Sequence, residues 1–143
     1  MKWTIGNWID LQAMAATLRT EVFVREQNVP QEMEWDDEDH RAVHGVLQSP
    51  SGEVVATGRL ISHGPSLARI GRMAVKADYR GHGLGRTVLR GLMEVARQRG
   101  DREVILHAQL SARGFYEKEG FIVQGPVFVE AGIDHIEMMR KLP

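Results

Sequence analysis

The chain has 143 residues, 43% hydrophobic and 26% charged, with a formal net charge of −1. That is enough apolar material for a packed core, and it provides no broad cationic field to hold nucleic acid or an anionic membrane. The absence of cysteine excludes disulfides, thiolate metal sites and a cysteine nucleophile.

No internal repeat or Pro/Ser-rich linker divides the sequence, so a single domain over 1–143 is expected. Met1 to Asn7 lack the apolar stretch of a signal peptide, and no run approaches the ~18 apolar residues of a membrane span. A cytoplasmic protein is the expectation. Residues 2–6 read as a first strand. Asp10 reads as an N-cap, and Leu11, Met14, Ala15, Leu18 and Val22 recur at helical spacing, so a helix is expected to about Gln27, before Pro30. Residues 31–40 read as loop or broken helix, with six carboxylates between Glu32 and Asp39. Ala42–Gln48, Glu53–Ser62 and Ala68–Val75 read as three strands whose short connections imply an antiparallel meander. A glycine-rich loop then opens a helix with Leu84, Val88, Leu89, Leu92, Val95 and Ala96 on one face. Gly100 suits its C-terminal turn. Glu103–His107 reads as a buried strand and Ser111–Lys118 as a short helix. Phe121–Val129 and His135–Leu142 read as a last strand pair. The expected order is β-α-β-β-β-α-β-α-β-β, a mixed α/β sheet with helices on its faces.

The loop Arg80-Gly81-His82-Gly83-Leu84-Gly85-Arg86 carries the first chemical signal. Glycines let backbone N–H groups converge without Cβ obstruction, and a new helix adds unpaired N–H groups and its positive dipole end. Together they form a phosphate site, with Arg80 and Arg86 at its rim. A P-loop would need Gly-Lys-Ser/Thr, but this loop ends Gly85-Arg86-Thr87. A dinucleotide fingerprint would need glycine at position 86, and an antiparallel meander argues against a doubly wound domain. The remaining pattern, Arg/Gln-x-x-Gly-x-Gly/Ala, is matched by Arg80, Gly83 and Gly85. It resembles the coenzyme A-binding motif of the GNAT N-acetyltransferase superfamily. Ala112, Tyr116, Gly120 and Phe121 fall on a second GNAT segment, in which Gln109 replaces the usual asparagine.

The resemblance implies a GNAT-like acyl-CoA N-acyltransferase fold and acetyl-CoA (coenzyme A) as cofactor. It implies that the strand before the loop splays from the next strand, that pantetheine pairs with the backbone of Met73, Ala74 and Val75, and that one N–H there polarises the thioester carbonyl. A primary amine of a small molecule or peptide attacks directly, and Tyr116 protonates the departing thiolate.

Many relatives place a glutamate on the strand before the loop, but Ala68–Val75 has no carboxylate. Arg19, Val22, Phe23, Glu26, Gln27, Pro30, Glu34, Asp36, Asp39 and His44 closely resemble the ElaA/YjcF-like group of GNAT proteins. Phe128, Glu130, Gly132, Ile133, His135 and Met138 look like the same group. Candidate acceptor-side groups are Glu26, Glu34, Asp36, His44, Glu130 and His135, with Glu26 and Glu130 the first candidates for the base. The acidic run is either a solvated loop or an attractor for a cationic amine. It lacks the glycine of a calcium loop, and no metal is expected. His107 reads as a packed histidine. A non-catalytic coenzyme A-binding module is the rival reading. Oligomeric state stays open, a homodimer included.

Overall fold

The computed structural model describes residues 1–143. Strand β1 spans Lys2–Gly6, β2 Val43–Gln48, β3 Val54–Gly64 and β4 Leu67–Val75. β5 spans Glu103–Gln109, β6 Ile122–Val123, β7 Phe128–Glu130 and β8 Ile133–Lys141. All eight join one sheet in the order β1-β2-β3-β4-β5-β8-β6, with β7 paired to β8. β1 to β4 pair antiparallel, β5 joins β4 in parallel, and β8 returns antiparallel to β5. The mixed α/β architecture read from the sequence is the one found.

Helix α1 spans Trp8–Arg19 and continues through Thr20–Glu26 with π-helical hydrogen bonding. Its cap is Asn7 rather than Asp10. Asn7 has extended backbone, and its Oδ1 accepts the Asp10 N–H at 2.9 Å, which places Asp10 in the first turn. Short helix α2 (Gln31–Glu34) and a 3-10 turn (Asp37–Arg41) lead into β2. Helix α3 spans Leu84–Gln98 and α4 Arg113–Lys118. The expected strand Phe121–Val129 is broken into β6 and β7, both paired with β8. Gly125-Pro126 lies in the break, and proline has no N–H for a ladder. No helix is long and apolar enough to cross a membrane.

The sheet is covered on both faces. Val46 and Leu47 are neighbours on β2 and point to opposite sides. Leu47 joins the large cluster of α3 and α4, and Val46 joins Trp8, Leu11 and Ala15 of α1. α3 buries Leu84, Val88, Leu89, Leu92, Met93 and Ala96, with Val95 packed at the margin. Full burial of such side chains is worth roughly 1.5–3 kcal/mol each, which anchors the glycine loop at the start of α3.

Two irregularities in β4 position the site. Its pairing with β5 is confined to Leu67, Ala68 and Arg69 opposite Glu103, Val104 and Ile105. Beyond them each strand keeps its other partner, and a gap opens between them. Second, Arg59 pairs with Gly71 but Thr57 with Ala74, so Arg72 and Met73 oppose Gly58 alone. This is a β-bulge, with Arg72 at φ 50. It reverses the alternation of β4. Ala68 and Ile70 face α3 before it, and Met73 and Val75 do so after it, while Ala74 joins Leu18 and Val22 of the α1 side.

Candidate active site

The gap between β4 and β5 opens into a cleft of about 460 Å³. Met73, Ala74 and Val75 line it from β4, Gln109 and Tyr116 from the β5–α4 side, and Arg80 and Gly85 at the loop end. The widened turns after α1 bring in Val22, Phe23 and Gln27, a familiar use of π-helical segments at functional sites. Glu130 and His135 line the cleft from the last hairpin. Gly81, His82, Gly83, Leu84 and Arg86 stand outside its lining. Leu84 is buried in the core, while His82 and Arg86 are exposed.

The loop has the geometry of an anion cradle. Gly83 is the N-cap of α3 at φ 78 and offers no side-chain cap, so the first N–H groups of the helix remain available. A Cβ at Gly81 or Gly83 would stand in open space, with no protein atom within 4 Å.

Arg80 is already engaged. Its Nε donates to the Val75 carbonyl at 3.0 Å, and its Nη1 and Nη2 donate to the Glu26 carboxylate at 2.5 and 2.8 Å. The Arg80 hydrogen bonds hold the Glu26 carboxyl below the usual range. Glu26 does not line the cleft, so the structure places this candidate base beside the cradle. Its neighbour Gln27 accepts a hydrogen bond from Gln109 Nε2 at 2.9 Å. Glu26 and Gln27 thus straddle the mouth of the gap, one tied to each side.

Tyr116 is buried among the α3-side core, its ring edge-on to Phe115 and Phe121. Burial pushes its phenol up to about 12, so it is fully protonated at neutral pH.

The acidic run divides: Glu32 and Asp37 stay exposed, as a solvated loop would have them, whereas Glu34, Asp36 and Asp39 are taken up by arginines. Arg19 binds Glu34 through Nε and Asp39 through both terminal nitrogens at 2.9 and 3.1 Å. Arg59 binds Asp36 at 2.6 and 2.9 Å and Asp39 at 2.9 Å. Arg72, on the bulge, donates to Asp36 at 3.2 Å and to the Met33 and Glu34 carbonyls at 3.3 Å. Burial opposes ionisation of Asp36 and Asp39, but these guanidinium contacts outweigh it and hold both carboxyls below the usual range. His44 is buried against Trp8, and its Nε2 lies 2.9 Å from the Asp39 carbonyl. Burial lowers its pKa. The network pins α2 and the following turn to β3 and β4, and of its carboxylates only Glu34 reaches the cleft.

A second ionisable cluster was not anticipated. Val104, Leu106 and Ala108 of β5 belong to the α3-side core, so His107 points to the opposite face. There it lines the cleft with Arg69 and Glu130. Arg69 Nη2 lies 2.9 Å from His107 Nδ1, Glu137 Oε1 3.3 Å from Nε2, and Glu130 Oε2 3.3 Å from Nδ1. Phe128 packs between His107, edge-on, and His135, stacked. The alternation of β5 was the available signal, since it sets His107 on the face opposite the core.

The sequence model of the Acetyltransferase (GNAT) domain matches residues 8–142. This chain belongs to the GNAT family. It is 34% identical to the uncharacterized N-acetyltransferase YjcF of Bacillus subtilis over 124 residues, 86% of this chain and 87% of the relative. An acyl-CoA N-acyltransferase structure from Pseudomonas aeruginosa superposes with a TM-score of 0.85 at 32% identity, covering 97% of this chain and 98% of that one. Escherichia coli ElaA superposes with a TM-score of 0.87 at 28% identity, over 97% and 98%. Within GNAT the chain falls in the ElaA/YjcF-like group, so acyl transfer is the chemistry against which the cleft is to be read.

Proposed function

We propose that the protein moves an acetyl group from acetyl-CoA to a primary amine of a small molecule or peptide by direct attack. The observation that carries this reading is the gap between β4 and β5. It runs from the anion cradle, past Tyr116 on one face of the sheet, to ionisable side chains on the other. The cradle fits the cofactor: the space before Gly81 and Gly83 is open, Arg80 lines the cleft at that end, and exposed Arg86 stands in the first turn of α3 with its Nε 3.5 Å from Glu119. When bound, acetyl-CoA supplies an activated thioester.

The chain's own groups divide the remaining work. The first N–H groups of α3 bind the pyrophosphate, with Arg80 released to it from Glu26. The β5-facing edge of Met73–Val75, left without a ladder partner, pairs with the pantetheine arm and polarises the thioester carbonyl. Gln109 closes the arm's other side. Tyr116 delivers a proton to the departing thiolate. Glu130 stands on the acceptor side, whereas Glu26 serves the cofactor side.

The test is thiol release from acetyl-CoA with a panel of primary amines, alongside the thermal shift given by acetyl-CoA. Transfer to an amine, with the acetylated product identified by mass, supports the reading. A thermal shift without release to any amine selects a non-catalytic coenzyme A-binding module instead. No shift at all removes both.

A further inference from the structure

β4 carries no carboxylate to receive the acceptor's proton, and Glu26 is tied to Arg80. We infer that His107 takes that proton, oriented by Glu137 behind it and met by Glu130 beside it, an assignment that rests on the acetyl-transfer reading above. A guanidinium only donates. Arg69, 2.9 Å from His107 Nδ1, therefore marks that nitrogen as the lone-pair side of a neutral ring. The ring proton sits on Nε2 and faces Glu137 Oε1 at 3.3 Å. One ring nitrogen is thus held by a carboxylate that sets the tautomer, and the other keeps its lone pair on the cleft side, where Arg69 donates to it until a proton takes its place.

Glu130 supplies the second half. Its Oε2 is buried, has no hydrogen-bond partner and lies 3.3 Å from the same Nδ1. A buried acceptor without a donor is costly. Protonation of Nδ1 supplies the donor. The imidazolium then lies between two carboxylates, Glu130 on Nδ1 and Glu137 on Nε2, with Arg69 displaced. His135 is the other cleft histidine, but it lacks such a setting. Its Nδ1 donates to the Ile133 carbonyl at 2.7 Å, and its ring stacks on Phe128 without a carboxylate partner.

The protons balance. The acceptor ammonium gives one proton to His107 Nδ1, and the free amine forms the C–N bond. As the C–S bond breaks, Tyr116 protonates the sulfur. The nitrogen's second proton restores Tyr116, and His107 passes the first to solvent. The geometry also divides the two roles between the faces of the sheet, with the acid on the α3 side and the base opposite.

The experiment is the pH dependence of kcat/KM for acetyl transfer in the parent, His107→Gln and Glu137→Gln, with acetyl-CoA thermal shifts in parallel. His107→Gln is expected to lower kcat/KM by ~10²-fold or more and to remove the acidic limb of the profile, with the acetyl-CoA shift unchanged. Glu137→Gln is expected to move that limb to lower pH, because the imidazolium loses an anionic partner, and Glu137→Asp to restore it in part. An acidic limb retained in His107→Gln, or lost in His135→Gln instead, overturns the assignment alone. A parent that binds acetyl-CoA and acetylates no amine overturns the acetyl-transfer reading and this assignment with it. Imidazole 15N NMR of the parent needs no acceptor. In the neutral ring of His107 the proton is expected on Nε2, and a neutral ring protonated on Nδ1 overturns the proposal.

Discussion

Tyr116→Phe removes one hydroxyl from a buried ring. That hydroxyl makes no hydrogen bond within the protein, and the ring keeps its edge contacts with Phe115 and Phe121. Stability is therefore expected to change by no more than ~0.5 kcal/mol, because no partner is left unsatisfied. If the phenol is the acid, turnover falls by ~10²–10⁴ while acetyl-CoA affinity holds. The proton transfer itself is uphill in reference terms. The phenol sits at about 12 and an ordinary thiol near ~8.5, a gap worth ~5 kcal/mol at 1.36 kcal/mol per unit. Burial narrows the gap, since it disfavours the thiolate as it does the phenolate. Donation is thus useful only while the sulfur carries developing charge in the dry cleft. A donor with a more acidic thiol leaves with less help, so the loss in Tyr116→Phe shrinks with it. The assay is thiol release by both proteins with both donors and one accepted amine. A loss under about threefold, well below the usual worth of a positioned acid, refutes the assignment, as does one that is the same for both donors.

Three further outcomes are expected. Gly83→Asp places a carboxylate in the open space before α3 and at a φ of 78, so it abolishes the acetyl-CoA thermal shift; a retained shift misplaces the cradle. Glu26→Gln frees Arg80 and tightens acetyl-CoA binding by about two- to five-fold, the size of an exposed ion pair, with the gain fading at high salt; weaker binding or an altered acidic limb of the pH–rate profile returns Glu26 to the acceptor side. Acid stability follows the buried network. His44, Asp36 and Asp39 have folded pKa values below their unfolded ones, so the folded state binds fewer protons than the unfolded one. Stability is full above the unfolded values and is lost as pH falls, first below ~6.5 through His44 and again below ~3.9 through the aspartates. A melting temperature that stays flat from pH 7 to pH 5 removes the His44 contribution.

What the sequence determined by itself is what contiguous residues encode. The apolar face of α3 follows from a 3.6-residue period, and the cradle is built from one unbroken run, Arg80 to Arg86, whose glycines and helix start act over a single turn. Tyr116 and Gln109, which line the cleft, were legible only because the short segment that carries them resembles a GNAT segment. Partner choice was not legible. Arg19, Glu34, Asp36, Asp39, Arg59 and Arg72 come from both sides of β2, and nothing in a run of carboxylates announces which three of them arginines of α1, β3 and β4 will engage. Glu26 stood in a family signature, yet only the fold sets it against Arg80. His107 had a face by alternation but gained Arg69 and Glu137 from two flanking strands. The bulge at Arg72 exists only in the register of β4 against β3. Local geometry is written in neighbouring residues, whereas the pairing of distant charges is decided by strand order and register, which bring β4, β5, β7 and β8 around one gap.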